Sequence, residues 1–234
     1  MYRFLYRSRG SVENDTKESP MRIGILGTGT LAAALGGRWA RAGHEIAIAG
    51  RSLTKARTLA DGLGGDVRAT AVPEAVIDAD AVLLAVAWTG VPDILRNAQA
   101  SAGALADTTL IDPTNAVHHG VGVLQTPADG SGAQHIAELA PGAHVVKGFH
   151  LFPAEQWSDP ASPSVTVAIC GDHPHALRTT ETLIRDAGAE AVVLGGLDRA
   201  RQLEEAAGFV IGLAFQGIDP RTAIPHIPTR VAAA

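Results

Sequence analysis

The chain has 234 residues, 46% of them hydrophobic and only 4% aromatic. That length holds one large domain, or a nucleotide-binding domain with a small second lobe, and the apolar share supports a packed core. The formal net charge of −5 provides no electrostatic footprint for nucleic acid or anionic lipid, and the single cysteine, Cys170, excludes an internal disulfide and a cysteine zinc cluster.

Residues 1–20 carry charge throughout and lack the apolar stretch of a secretory signal. They read as a disordered extension, or as the product of a start codon placed too early, with Met21 as the natural start. From Met21 onward, short apolar runs alternate with helical patterns. Arg22–Leu26 reads as a buried strand, Leu31–Ala42 as a helix stopped by Gly43, and Glu45–Ala49 as a second strand. Ser52 caps a helix that runs to Leu63, followed by a weak strand over Val67–Thr70 and a short helix over Pro73–Asp78. Ala81–Val86 is a strongly apolar strand, Val91–Ala102 a helix with Pro92 in its first turn, and Thr109–Asp112 a strand. A helix over Ser131–Ala140 and a strand over Ala143–Lys147 continue the alternation.

After Phe152 the texture changes: Pro153, Pro160 and Pro163 lie in a polar stretch that reads as a loop. A strand over Val165–Ile169, a helix over His175–Ala187, a strand over Ala191–Leu194 and a helical rhythm at Leu203, Ala207, Val210, Ile211 and Ala214 follow. Continuous apolar strands separated by helices indicate an α/β fold: a doubly wound, Rossmann-type parallel sheet covered on both faces. The expected organisation is a dinucleotide-binding domain over residues 21–152 and a small C-terminal α/β lobe over 153–234, which could equally extend the first sheet. No apolar run reaches the ~18 residues of a membrane span, and one cysteine is compatible with a cytoplasmic setting.

The segment with most chemical content is Gly27-Thr28-Gly29-Thr30-Leu31-Ala32, of the form G-x-G-x-x-A, between a strand and a helix. Gly27 permits the tight turn, Gly29 lets the backbone approach a pyrophosphate, and the small Ala32 lets helix pack on strand. Amides and dipole at the helix start then favour phosphate. The second strand ends in Ala49-Gly50-Arg51-Ser52, with Lys55 one helical turn on. No carboxylate stands there to hold a ribose 2′-hydroxyl. A guanidinium and hydrogen-bond donors suit a 2′-phosphate instead, so NADP(H) is favoured over NAD(H).

Three stretches, Ile23 to Leu31, Ala42-Gly43-His44-Glu45-Ile46 and Gly50-Arg51-Ser52, resemble the NADPH:coenzyme F420 oxidoreductase family. So do Val145-Val146-Lys147-Gly148-Phe149-His150 with Pro153-Ala154, Ile169-Cys170-Gly171-Asp172, and Leu197 to Glu204. The resemblance implies hydride exchange between NADP(H) and an 8-hydroxy-5-deazaflavin, coenzyme F420, in a protein that is often a homodimer. It implies that Thr28, Gly29, Thr30 and Leu31 contact the pyrophosphate and that Arg51, Ser52 and Lys55 hold the 2′-phosphate. Ala87 and Trp88 would border the nicotinamide half, while His150 and Pro153 would line the second pocket. The chain departs from the family at Thr30, where Asn is frequent, and at Gly50-Arg51-Ser52, where the basic residue is displaced. Asp112-Pro113-Thr114-Asn115 is closer to wider relatives, which include imine reductases and metalloreductase domains.

Hydride transfer needs two flat rings held face to face with water excluded, and little acid–base machinery. His150 is the candidate catalytic residue, as an orienting group or donor to developing negative charge; it reads equally as a packed strand-end histidine. Asn115 could bind the nicotinamide ribose or carboxamide, or serve a turn. Trp88 fits a pocket wall or the core. His118-His119 lacks the partners of a metal site, so no metal is expected. Cys170 reads as a buried small hydrophobe. The competing functions are an NADPH-dependent reductase of a small imine or carbonyl, and an NADPH-binding sensor without turnover.

Overall fold

A computed structural model describes residues 19–225 apart from His119 and Pro160. Most of the expected extension, residues 1–18, and the histidine of the His118-His119 pair at 119 therefore lie outside the described residues.

The first half alternates as expected: β1 (Arg22–Leu26), α1 (Thr30–Ala42), β2 (Glu45–Ala49), α2 (Leu53–Leu63), β3 (Val67–Ala69), α3 (Val72–Val76), β4 (Ala81–Leu84) and α4 (Val91–Asn97). It continues with β5 (Thr109–Asp112), α5 (Gly132–Leu139), β6 (His144–Lys147), α6 (Ala154–Ser158), β7 (Thr166–Gly171), α7 (Pro174–Asp186), β8 (Glu190–Gly195) and α8 (Ala200–Phe215). All eight strands join one sheet in the order β3-β2-β1-β4-β5-β6-β7-β8. The chain winds outward from β1 through β2 to β3, then returns to place β4 on the other side of β1. The switch point is thus between β1 and β4, where an open α/β sheet leaves a crevice beyond its strand ends.

Both faces of the sheet are covered, which is why Ile23–Leu26, Ile46–Ala49 and Ala81–Leu84 carry no polar side chain. On one face Ile23, Ile25, Ile46, Leu83 and Ile111 pack with Leu35 and Trp39 of α1 and with Leu183 and Ile184 of α7. On the other, Leu26, Val82, Leu84 and Leu110 pack with residues of α3, α4 and α5 and with Leu203 of α8. Trp39, fully buried, also donates its indole N–H to the Leu183 carbonyl at 2.8 Å, tying α1 to α7.

Strands β7 and β8 extend the same sheet. β6 and β7 pair antiparallel through Val146–Gly171 and Lys147–Cys170, so the sheet is parallel except at this one junction. The proline-containing stretch, read as loop, contains α6. Trp157 anchors it at 1% exposure, meeting Phe149 edge-on at 5.3 Å and Phe152 at 6.0 Å. Arg38 of α1 donates to the Trp157 carbonyl at 2.7 Å. Among the described residues no helix is long and apolar enough to cross a membrane.

Candidate active site

At the switch point the chain leaves β1 through Gly27-Thr28-Gly29 and enters α1. Gly27 donates its N–H to the Ala49 carbonyl at 2.8 Å, tying the turn to the end of β2. Its φ is +143°, and a Cβ would come 1.9 Å from the Ala85 carbonyl oxygen, so only glycine fits. Gly29 is different. It is the N-cap of α1 with φ −87° and ψ −172°, ordinary extended backbone, and a Cβ would meet nothing within 4 Å. No side chain caps the first turn of α1. Unpaired helix-start amides beside open space form a cradle that fits a diphosphate.

A cleft of about 560 Å³ opens from this turn. Its walls are Gly27, Thr28 and Gly29, then Arg51, Ser52 and Lys55 after β2, and Ala85, Val86 and Ala87 after β4. Arg51 and Lys55 are exposed, with no ion-pair partner among the described residues. The Ser52 hydroxyl accepts the Lys55 N–H at 3.3 Å and caps α2, so a second helix start lies beside the basic side chains. Cations and a helix dipole at one edge, with no acid opposing them from the end of β2, suit a dianionic phosphate. Thr30 and Leu31 form the first turn of α1 at the foot of the cradle.

The structure separates the other expected residues from this cleft. Trp88 turns away into a neighbouring cavity of about 560 Å³ with Gln125, Ser131 and Gln134, and meets His135 edge-on at 5.9 Å. Asn115 donates its side-chain N–H to the His150 carbonyl at 2.7 Å, while its Oδ1 is buried without a partner. Pro153 is exposed and begins α6. His150 is in the core at 6% exposure, and neither ring nitrogen has a partner at hydrogen-bond geometry. Burial first, and then the Lys147 charge, push its pKa down to about 3, with the Leu203 backbone acting the other way. Its ring is neutral at pH 7, so it holds no imidazolium proton to give to an acceptor. His118 is exposed, and among the described residues no His, Cys, Asp or Glu cluster could hold a metal. Cys170 is fully buried; burial pushes its thiol up to about 12, which leaves it inert.

Next to His150, residues from three separate stretches of the chain, Asp112, Lys147 and Glu204, form a cluster that the sequence alone did not bring together. Lys147, Asp112 and Glu204 are all 0% exposed. Lys147 Nζ donates to Asp112 Oδ2 at 2.9 Å and to the Thr114 carbonyl, and lies 3.1 Å from Glu204 Oε1. Asp112 Oδ1 accepts from the Thr114 N–H at 2.8 Å and its hydroxyl at 2.6 Å. Glu204 accepts the N–H groups of Gly132 at 2.8 Å and Ala133 at 3.1 Å, capping α5 from a distant helix. Burial alone would lower the Lys147 pKa, but Asp112 and then Glu204 more than reverse that and raise it. In the sequence each of the three lies in a stretch that carries a family resemblance, but nothing there joins them; Glu204 adds only its place next to Leu203 on the buried stripe of a helix.

A doubly wound sheet with a glycine turn and uncapped helix at its switch point defines a Rossmann-type dinucleotide-binding protein. Residues 22–116 match the family described as NADP oxidoreductase, coenzyme F420-dependent. The rat (Rattus norvegicus) metalloreductase STEAP3 is 29% identical over 205 residues, covering 86% of this chain and 39% of the relative; the chain thus spans well under half of that protein. Among solved structures, a candidate F420-dependent NADP reductase from Arthrobacter sp. FB24 superposes with a TM-score of 0.73 at 25% identity, over 85% of this chain and 96% of the other. A reductive aminase from Aspergillus terreus shares the fold at TM-score 0.61 and 19% identity, over 85% of this chain and 64% of its own.

Proposed function

We propose that the cleft binds NADP(H) and that the protein exchanges hydride between it and the deazaflavin coenzyme F420. The observation that carries this reading is the pairing of an open Gly29 cradle with an unpaired Arg51–Lys55 edge in one cleft. The family match over residues 22–116 and the Arthrobacter protein support the deazaflavin as the second reactant.

In this reading the Gly27–Leu31 backbone holds the pyrophosphate, and Arg51, Ser52 and Lys55 hold the 2′-phosphate. The adenosine end then lies over β2, and the nicotinamide end reaches past Ala87 toward the ends of β4, β5 and β6, near Asn115. The bound nicotinamide supplies a hydride directly, so the protein's part is to orient two rings and exclude water. His150, neutral and buried, packs behind this wall and supplies no proton. The homodimer that the resemblance implies would cover the exposed Val121, Val123 and Phe209 near α8.

The test is spectroscopic. Purified protein given NADPH and oxidised deazaflavin bleaches the deazaflavin's visible band. NADPH oxidation only with an imine or carbonyl would replace the deazaflavin as reactant. Tight NADPH binding with no turnover for either would make the protein a sensor.

A further inference from the structure

We infer that Lys147 is a positioning residue for the nicotinamide end of the cleft, acting through Asp112, Thr114 and Glu204. The inference rests on the proposed NADP(H) site and goes one layer below it. With the adenosine end over β2, the opposite end would run beyond the cleft along the sheet edge past β4, β5 and β6, where the chain continues as segments far apart in sequence: Trp88 against the start of α5, the Thr114–Asn115 loop, and the Phe149–His150 turn. Lys147 reaches the first two. Its Nζ holds the Thr114 carbonyl directly and the Thr114 N–H and hydroxyl through Asp112. Through Glu204 it is linked to the Gly132 and Ala133 amides that begin α5. Gly132 is so close to the indole that a Cβ there would lie 3.2 Å from Trp88. The third segment is joined by Asn115, whose side chain holds the His150 carbonyl. Phe149, just before it, has a left-handed φ of +60° and is buried between Trp39 and Trp157.

A buried ion cluster is weak evidence for stability, because desolvation offsets the attraction. What it does provide is a defined geometry, since each fully buried charge has only a few satisfying arrangements. Here that geometry is imposed on the segments beyond the ends of β4, β5 and β6 and on nothing at the Arg51 end.

The experiment compares two ligands on the intact protein: NADP⁺, and 2′-phospho-ADP-ribose, which lacks the nicotinamide. Asp112→Asn/Lys147→Met removes one charge of each sign, so the net charge of the cluster is unchanged. Calorimetry should show the fragment's Kd within about twofold of wild type, while NADP⁺ loses about tenfold, its extra affinity over the fragment. Glu204→Gln, which keeps the Lys147–Asp112 pair, should show the same split at smaller size if the double variant does not fold. Parallel weakening of both ligands, or no change in either, would overturn the positioning role alone. Wild-type protein that binds NADP⁺ no better than the fragment would overturn it too. Wild-type protein that binds neither would overturn the cofactor reading, and this inference with it.

Discussion

Acid should destabilise this protein through one histidine. The His150 ring has a pKa of about 3 in the folded chain against 6.5 for the free side chain. The sign follows from proton counting: between those values the unfolded chain binds a proton that the folded chain does not, so stability falls as pH falls below 6.5. The linkage amounts to about 0.2 kcal/mol at pH 7 and about 2.7 kcal/mol at pH 4.5, a loss of roughly 2.5 kcal/mol across that interval. Carboxylates titrate over the same range, so wild type alone is not diagnostic. His150→Leu keeps the bulk, removes two unpartnered ring nitrogens, and leaves Lys147 and every carboxylate in place. Urea unfolding of both proteins at pH 7 and 4.5 isolates the term. The Leu variant should be at least as stable as wild type at pH 7 and should gain about 2.5 kcal/mol on it at pH 4.5. Equal acid losses in the two proteins would refute a buried, neutral His150. Hydride transfer retained in the same variant would separate the residue from proton donation as well.

Gly29→Val should leave Tm within a degree or two, because its backbone is extended and the space beyond its Cβ is open, yet weaken NADP(H) binding by about tenfold or more in a fluorescence titration. Arg51→Asp should lower the ratio of NADPH to NADH affinity by about tenfold or more; an unchanged ratio would remove Arg51 from the 2′-phosphate site. Trp157→Ala should cost about 3–5 kcal/mol in chemical denaturation, since the side chain is 1% exposed and anchors α6. Phe209→Glu should convert the proposed dimer to monomer in sedimentation, and a wild type that sediments as a monomer would remove that interface.

The elements that were legible carry their signal locally. β1 and β2 are bounded by turn residues and carry only apolar residues or glycine at their buried positions, β5 has an apolar pair between Thr109 and Asp112, and the ends of all three fall where the pattern places them. Elsewhere the local signal was overridden. The apolar rhythm after Val91 continues to Ala102, but α4 stops at Asn97 because Gln99 takes a left-handed φ of +58°. α6 is only five residues long and lies among prolines, so its one tertiary anchor, Trp157, could not be weighed against composition. The antiparallel β6–β7 pairing left no mark, because strands buried on both faces read alike in either direction.

The two ends of the candidate site differ for the same reason. The phosphate end is backbone chemistry: a turn, two helix starts and a pair of basic side chains, all within Gly27–Lys55, so contiguous residues describe it. The other end, as proposed, draws on positions 88, 115, 132, 147 and 204, which share no local pattern and meet only once β5, β6, α5 and α8 are packed. Its organising residue, Lys147, looks in the sequence like a polar strand end, where a solvated lysine is the ordinary outcome. Only the fold shows that β7 and α8 close over it, leaving it no exposure and two carboxylates. On the proposed reading, cofactor class is written in one stretch of chain, whereas the nicotinamide end is set by packing among distant ones. Exchanging residues near Arg51 should alter which dinucleotide binds, and altering the Lys147 cluster should alter what that dinucleotide can react with.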